Sequence, residues 1–256
     1  MTQEKPENDP QIAVNRPTGD DQLDKPENTA GNRPNLWDAV LACACIGLLW
    51  VTVGIVLDGL RPLVDERTLT YLSGFLTQGT LAIVLLLELL LRRIKLPSLG
   101  FRAVPVKPAL VSVLKAYLLV WTANVTYAIV LQLSGLNPPN SNVYTFLMSQ
   151  RDIVYIVLNL VLAALLAPVF EETLFRGIIY KALRTKTGKW PAAILSAALF
   201  SGLHMDIWGF GPRFILGLLL AHLYEKYQSL YPSMGLHALN NGLIFVLALA
   251  LKLPLS

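Results

Sequence analysis

Two glutamates stand side by side inside an apolar run, Ala167-Pro168-Val169-Phe170-Glu171-Glu172-Thr173-Leu174-Phe175-Arg176. A charge at the centre of a membrane-spanning helix costs roughly 2.5 to 3.5 kcal/mol on insertion scales, so such groups face internal cavities and mark function. On a helix Glu171 and Glu172 diverge by about 100°, which assigns them different roles. Arg176 lies four residues beyond Glu172 on the same face, and its planar fork suits a carboxylate. That pairing leaves Glu171 to a cavity. The competing structural reading is an ion pair at a helix end, with Glu171 merely interfacial. Pro168 removes a backbone donor and predicts a bend near the carbonyl of Ala164, as in helices that line cavities.

Two further elements carry titratable or amide side chains. Phe200 and His204 share a face at the end of a short apolar segment, and His237 and Asn241 are again four residues apart on the last one. Alone, each has a plain reading: an interfacial histidine, or a polar pair tying two helices together. Depth joins them. At about 1.5 Å per residue, His204 lies ~21 Å from Trp190, Glu171 ~20 Å from Arg184 and Asn241 ~14 Å from Pro232, so all can meet within a bilayer. A carboxylate with an imidazole can activate water. A second histidine and an asparagine can donate to a developing oxyanion. Together these groups suffice to hydrolyse an amide in a wet membrane cavity.

The elements that must position them are transmembrane helices. Of 256 residues, 54% are hydrophobic and only 15% charged, and the apolar residues form blocks of about 20, the length of a span. The blocks run over 36–57, 69–91, 109–133, 153–176, 210–227 and 231–251, with a shorter one at 190–204. Uniformly apolar runs exclude the alternation of a membrane β-barrel. The expectation is an all-α, polytopic membrane protein of about seven helices, one short, around a catalytic cavity. Residues 1–35 are rich in Asp, Glu, Asn and Pro and read as a disordered tail preceding a helical domain over 36–256. No cleavable leader pattern opens the chain, so the first span serves as its own insertion signal.

The pI of about 9.1 and net charge of +4 do not indicate nucleic acid, because the basic residues form no stripe. They alternate between loops: Arg92, Arg93, Lys95, Arg102 and Lys107 on one side, with Lys181, Arg184, Lys186 and Lys189 returning to it. The positive-inside rule then puts the N-terminus in the cytoplasm. Cys43 and Cys45, two apart on one helix, do not face each other and imply no disulfide.

The motifs Glu-Glu-x-x-x-Arg at 171–176, Phe-x-x-x-His at 200–204 and His-x-x-x-Asn at 237–241, in that order, resemble the CAAX protease and bacteriocin-processing family of intramembrane proteases, also called Abi or CPBP, and are similar to type II CAAX prenyl endopeptidases. They fall within 168–245. The resemblance implies that Glu171 and His204 activate the attacking water, that His237 and Asn241 stabilise the oxyanion, and that Glu172, Arg176 and Phe200 support the site. It leaves open a glutamate-type or a metal-dependent mechanism. The preferred reading needs no cofactor. If zinc binds, Glu171, His204 and His237 supply three ligands and leave a fourth position for water.

The function expected is thus an intramembrane endopeptidase acting on a membrane-associated protein or peptide, in a bacterial-type inner or plasma membrane. Nothing in the sequence identifies a prenyl pocket, and no motif encodes an oligomeric state. Two other classes stand beside it: a non-catalytic scaffold or immunity factor that binds a partner, and an ion-coupled transporter, since buried carboxylates and histidines also relay protons. His222 reads as interfacial, Glu88 as a snorkelling pair with Arg92, Asn124 as a helix contact or groove residue, and Asn240 as a contact to a neighbouring helix.

Overall fold

The computed structural model describes residues 33–136, 138 and 153–252, and every regular element among them is helical. Most of the expected N-terminal tail lies outside the described residues. Its last residue does not: Asn35 caps the first helix, α1 (Leu36–Leu60), accepting from the backbone N–H groups of Trp37 and Asp38 while Asp38 accepts from its own. This reciprocal box satisfies backbone donors that a helix start leaves open.

The second helix, α2 (Glu66–Arg92), starts at Asp65, whose carboxylate accepts from Thr68 N–H at 2.7 Å. It packs back along α1, and Arg92 at its end donates to Asp38 at the start of α1. Arg92 therefore hydrogen-bonds Asp38, while Glu88, the expected i,i+4 partner, meets it through charge alone. Glu88 is buried, and neither carboxylate oxygen has a hydrogen-bond partner among the described residues.

A single helical turn, α3 (Leu96–Leu99), ends at Gly100 with φ of 105°. A Cβ there would lie 2.8 Å from the ring of Tyr224, so glycine serves both the left-handed backbone and the close approach. This segment ties three later helices together: Ser98 O accepts from Lys181 Nζ, Leu99 O from Tyr224 Oη and Gly100 O from Leu230 N. Helix α4 (Val106–Leu133) follows.

The helical run α5, residues 153–187, carries the paired glutamates and contains two π-helical stretches, Leu162–Leu166 and Thr173–Tyr180. Pro168 sits just after the first. Having no N–H, it cannot bond to Ala164, and the preceding Ala167 N–H reaches Leu162 O, five residues back. The bend predicted from Pro168 is thus met by a widening of the ladder; π turns of this kind concentrate at functional sites. Carbonyls in both stretches accept from other helices, Ala163 O from Asn241 and Phe175 O from Ser196.

Three more helices, α6 (Lys189–Gly202), α7 (Phe210–Tyr227) and α8 (Leu230–Lys252), complete the described structure. Among the described residues, four helices are long and apolar enough to cross a membrane: Leu36–Leu60, Glu66–Arg92, Val106–Leu133 and Val157–Thr187. Helix α6 has 14 residues, about 21 Å of rise against a hydrocarbon core of about 30 Å. It ends at Gly202, so His204 lies in the turn beyond the helix and not on its last residue as expected.

The outer faces of α1 and α4 expose Leu48, Ile55, Leu110, Leu114 and Leu118, apolar side chains of the kind that lipid covers. The interior is packed tightly between α5, α6 and α7. Gly217 lets α7 approach α6, since a Cβ on it would lie 2.9 Å from Ala197 Cβ. The chain is an integral, all-helical membrane protein over its described residues.

Candidate active site

The polar centre is built on one imidazole. Nδ1 of His237, on α8, lies 2.8 Å from Glu172 Oε1 on α5, and its Nε2 lies 3.9 Å from Glu171 Oε2. The first is a short charge-assisted contact; the second is too long for a direct hydrogen bond. The two glutamates diverge, as neighbours on a helix must. They address the two ends of one ring, which is wide enough to span their angular divergence.

Behind this ring lies a wholly buried ion pair. Arg176 donates from Nη1 to Glu172 Oε1 at 3.1 Å and from Nη2 to Gly217 O at 3.1 Å, with Glu172 and Arg176 both at zero exposure. The expected Glu172–Arg176 pairing is therefore present. Buried charges are tolerated only when paired and hydrogen-bonded, and here the guanidinium also stacks over the Phe200 ring, 4.6 Å from its centroid. Phe200 is the hub of the packing, meeting His204 at 5.2 Å, Phe175 at 5.3 Å and His237 at 5.6 Å, all edge-on.

His204 is oriented by its own helix end. Its Nδ1 lies 2.8 Å from Phe200 O, so Nδ1–H donates to that carbonyl and Nε2 is left for the cavity that the residue lines. The turn carrying it is braced by Arg213, which donates to Asp206 Oδ2 at 2.8 Å and to Asp206 O at 3.0 Å. That hydrogen bond is the main cause holding the Asp206 carboxyl below the usual carboxylate range. Gly209 makes room for the guanidinium, which a Cβ would meet at 2.3 Å.

Asn241 donates from Nδ2 to Ala163 O at 2.8 Å, across to the first π stretch. Its Oδ1 accepts from Asn240 Nδ2 at 3.2 Å. Asn240 thus orients its chain neighbour, where a contact to another helix was expected. One N–H of the Asn241 amide remains beyond these bonds.

Glu171, His204, Asn241 and Phe200 line one cavity of about 270 Å³. Glu171 is mostly buried, at 13% side-chain exposure, and its Oε2 has no hydrogen-bond partner among the described residues. His237, Glu172 and Arg176 stand behind the lining. The cavity also takes in Trp50 from α1 and Thr77 and Gln78 from α2, which sequence reasoning did not single out. A glutamine inside the apolar run of α2 was the available signal. His222 is exposed on α7 at the rim of a different, more apolar cavity, away from these residues.

As a metal site the donors do not yet fit. Among the described residues, no group of three His, Cys, Asp or Glu side chains converges to hold an ion. The Glu172 carboxylate on Nδ1 of His237 is nonetheless the kind of partner that orients a ligating imidazole.

Residues 153–243 match the family described as Type II CAAX prenyl endopeptidase Rce1-like. Three curated relatives are similar to parts of the chain. "Putative membrane peptidase YdiL" of Bacillus subtilis is 26% identical over 99 residues, 38% of this chain and 41% of YdiL. "Uncharacterized 24.3 kDa protein" of Escherichia coli is 28% identical over 198 residues, 73% of this chain and 89% of that protein. "UPF0177 protein YaiF" of Lactococcus lactis is 37% identical over 90 residues, 34% of this chain and 38% of YaiF. The chain thus spans well under half the length of YdiL and YaiF. No solved structure matches it. The resemblance drawn from the three motifs holds over the segment that contains them.

Proposed function

From the family resemblance of residues 153–243, we propose that this chain is an intramembrane endopeptidase that hydrolyses a peptide bond of a membrane-associated protein or peptide. The observation that carries the reading is Glu171: a shielded carboxylate oxygen with no hydrogen-bond partner among the described residues, in a cavity also lined by His204 and Asn241. In this reading Glu171 takes a proton from a water that Nε2 of His204 orients by accepting its other hydrogen, as the water oxygen adds to the scissile carbonyl carbon. The resulting oxyanion accepts from the remaining Asn241 N–H and from His237, which donates through Nε2–H when both ring nitrogens carry protons. Collapse breaks the C–N bond, and the proton held by Glu171 passes to the leaving amine. Glu172 acts through His237, fixing the ring by its contact with Nδ1, and Arg176 neutralises Glu172.

The zinc alternative, with Glu171, His204 and His237 as its ligands, has no converged set of three donors among the described residues behind it. No step above is routed through it. The cytoplasmic N-terminus and a bacterial-type inner or plasma membrane belong to the same proposal, supported by the Lys and Arg asymmetry of the loops.

The test is incubation of the purified chain in detergent with a panel of membrane-associated peptides, comparing the native sequence with Glu171→Ala. Cleavage lost in the variant supports the reading. Peptide binding without turnover by either protein would move the chain to the partner-binding class.

A further inference from the structure

The cavity holding Glu171 is not built by the C-terminal helices alone. Trp50 of α1 and Gln78 of α2 line it, and both lie outside residues 153–243, the segment that carries the family resemblance. Trp50 Nε1 and Gln78 Oε1 are shielded from solvent, and neither has a hydrogen-bond partner among the described residues. Buried polar groups are seldom left so, because the desolvation cost is not recovered. The two orphans are of opposite kind. An indole nitrogen is a donor only, and the amide oxygen is an acceptor.

We propose that Trp50 and Gln78 bind the main chain of an extended peptide substrate beside the scissile bond, Trp50 donating to a substrate carbonyl and Gln78 accepting from a substrate N–H. The inference rests on the peptidase reading above and deepens it by naming what this wall of the cavity recognises. An extended peptide presents backbone donors and acceptors that no secondary structure has used. A hydrocarbon chain, prenyl or acyl, presents neither. Gln78 has three side-chain torsions with which to swing its amide to a guest, whereas the rigid indole of Trp50 sets the position of the carbonyl. The hairpin of α1 and α2 thereby holds the substrate while α5, α8 and the turn after α6 carry the reacting groups. Both residues are positioning residues rather than catalytic ones.

The experiment uses the full chain in detergent with a fluorescein-labelled mixture of randomised nonapeptides as probe. Binding is read by anisotropy in a Glu171→Gln background, and cleavage in the native one. Trp50→Phe and Gln78→Met keep the side-chain shape and remove the polar atom. Each is expected to weaken peptide binding tenfold or more, to raise KM by a similar factor with kcat changed less than threefold, and to unfold no earlier than the parent. Displacement of the peptide by farnesol should be equally effective in parent and variants. Unchanged KM and binding in both variants would overturn the proposal while leaving the peptidase reading intact. Tenfold weaker binding in the variants, without cleavage by the native chain, would uphold the main-chain contacts of Trp50 and Gln78 and overturn the peptidase reading together with their place beside a scissile bond. No peptide binding by any protein, or early unfolding of both variants, would overturn the proposal.

Discussion

His237 Nδ1 and Glu172 Oε1, 65 residues apart in sequence and on different helices, lie 2.8 Å from each other, and Glu171 faces the other nitrogen of the same ring at 3.9 Å. Adjacent carboxylates thus stand differently to one imidazole: the buried one holds it, and the one lining the cavity keeps an oxygen without a hydrogen-bond partner among the described residues.

That division predicts opposite phenotypes for two isosteric changes. Glu171→Gln should lower the cleavage rate by about 10² to 10⁴, the range for loss of a positioned base, with thermal stability kept. Glu172→Gln should unfold at markedly lower temperature, because breaking a buried pair costs about 3 to 5 kcal/mol. Rate and unfolding midpoint measured in the same detergent decide it. A well-folded, inactive Glu172→Gln beside a near-native Glu171→Gln would reverse the two roles.

Asn241→Ala should cost ~10² to 10³ in kcat with little change in KM, as expected for a donor used in the transition state. It should also cost about 1 to 3 kcal/mol of stability by orphaning Ala163 O, to which Asn241 now donates. Asn240→Ala, which removes only the donor to Asn241 Oδ1, should show a smaller version of the rate effect. Equal rates in native protein and Asn241→Ala would remove the residue from the oxyanion site.

Gly217→Ala should destabilise by about 1 to 3 kcal/mol through overpacking, since its Cβ would lie 2.9 Å from Ala197 Cβ. The same change crowds the carbonyl that accepts from Arg176 Nη2. Ala197→Gly in the Gly217→Ala background should recover part of the loss. A double variant no more stable than Gly217→Ala would show that the clash lies elsewhere.

The turn carrying His204 should loosen in acid. Asp206 is held below its ordinary range chiefly by Arg213, so the native state favours its ionised form. Its contribution is complete above the unfolded value of about 3.9 and is lost as pH falls through the lower folded value. Hydrogen exchange at Trp208, whose N–H donates to Asp206 Oδ1, should accelerate beyond the intrinsic pH effect below about pH 4. Asp206→Asn should abolish that transition.

Lys95→Cys and Lys186→Cys, in a Cys43→Ser, Cys45→Ser background, should label only from the cytoplasmic side, following the Lys and Arg bias of their loops. Labelling of position 95 by an impermeant reagent from outside would invert the topology.

Much of this arrangement was written locally. Apolar blocks of span length specified the helices, and the observed bounds extend the expected ones by a few residues at Leu36–Leu60, Glu66–Arg92 and Val106–Leu133, where polar caps such as Asn35 and Asp65 end the pattern. The Glu172–Arg176 pair followed from helical spacing, because i,i+4 geometry is a property of one helix. The residues of the candidate site were likewise recognisable as charges and amides in apolar surroundings.

What the sequence could not determine is which of these groups meet across helices. The hydrogen bond from Arg92 to Asp38, the placing of the two glutamates at opposite ends of His237, the bond from Asn241 to Ala163 O and the entry of Trp50 and Gln78 into the cavity all depend on inter-helix register and rotation. Periodicity reveals which face of a helix is polar, but not its height or its opposite number. Those are set by packing, here by the close approach at Gly217 and the π turns of α5, where bulk and the missing proline donor decide how far one helix slides and turns against the next.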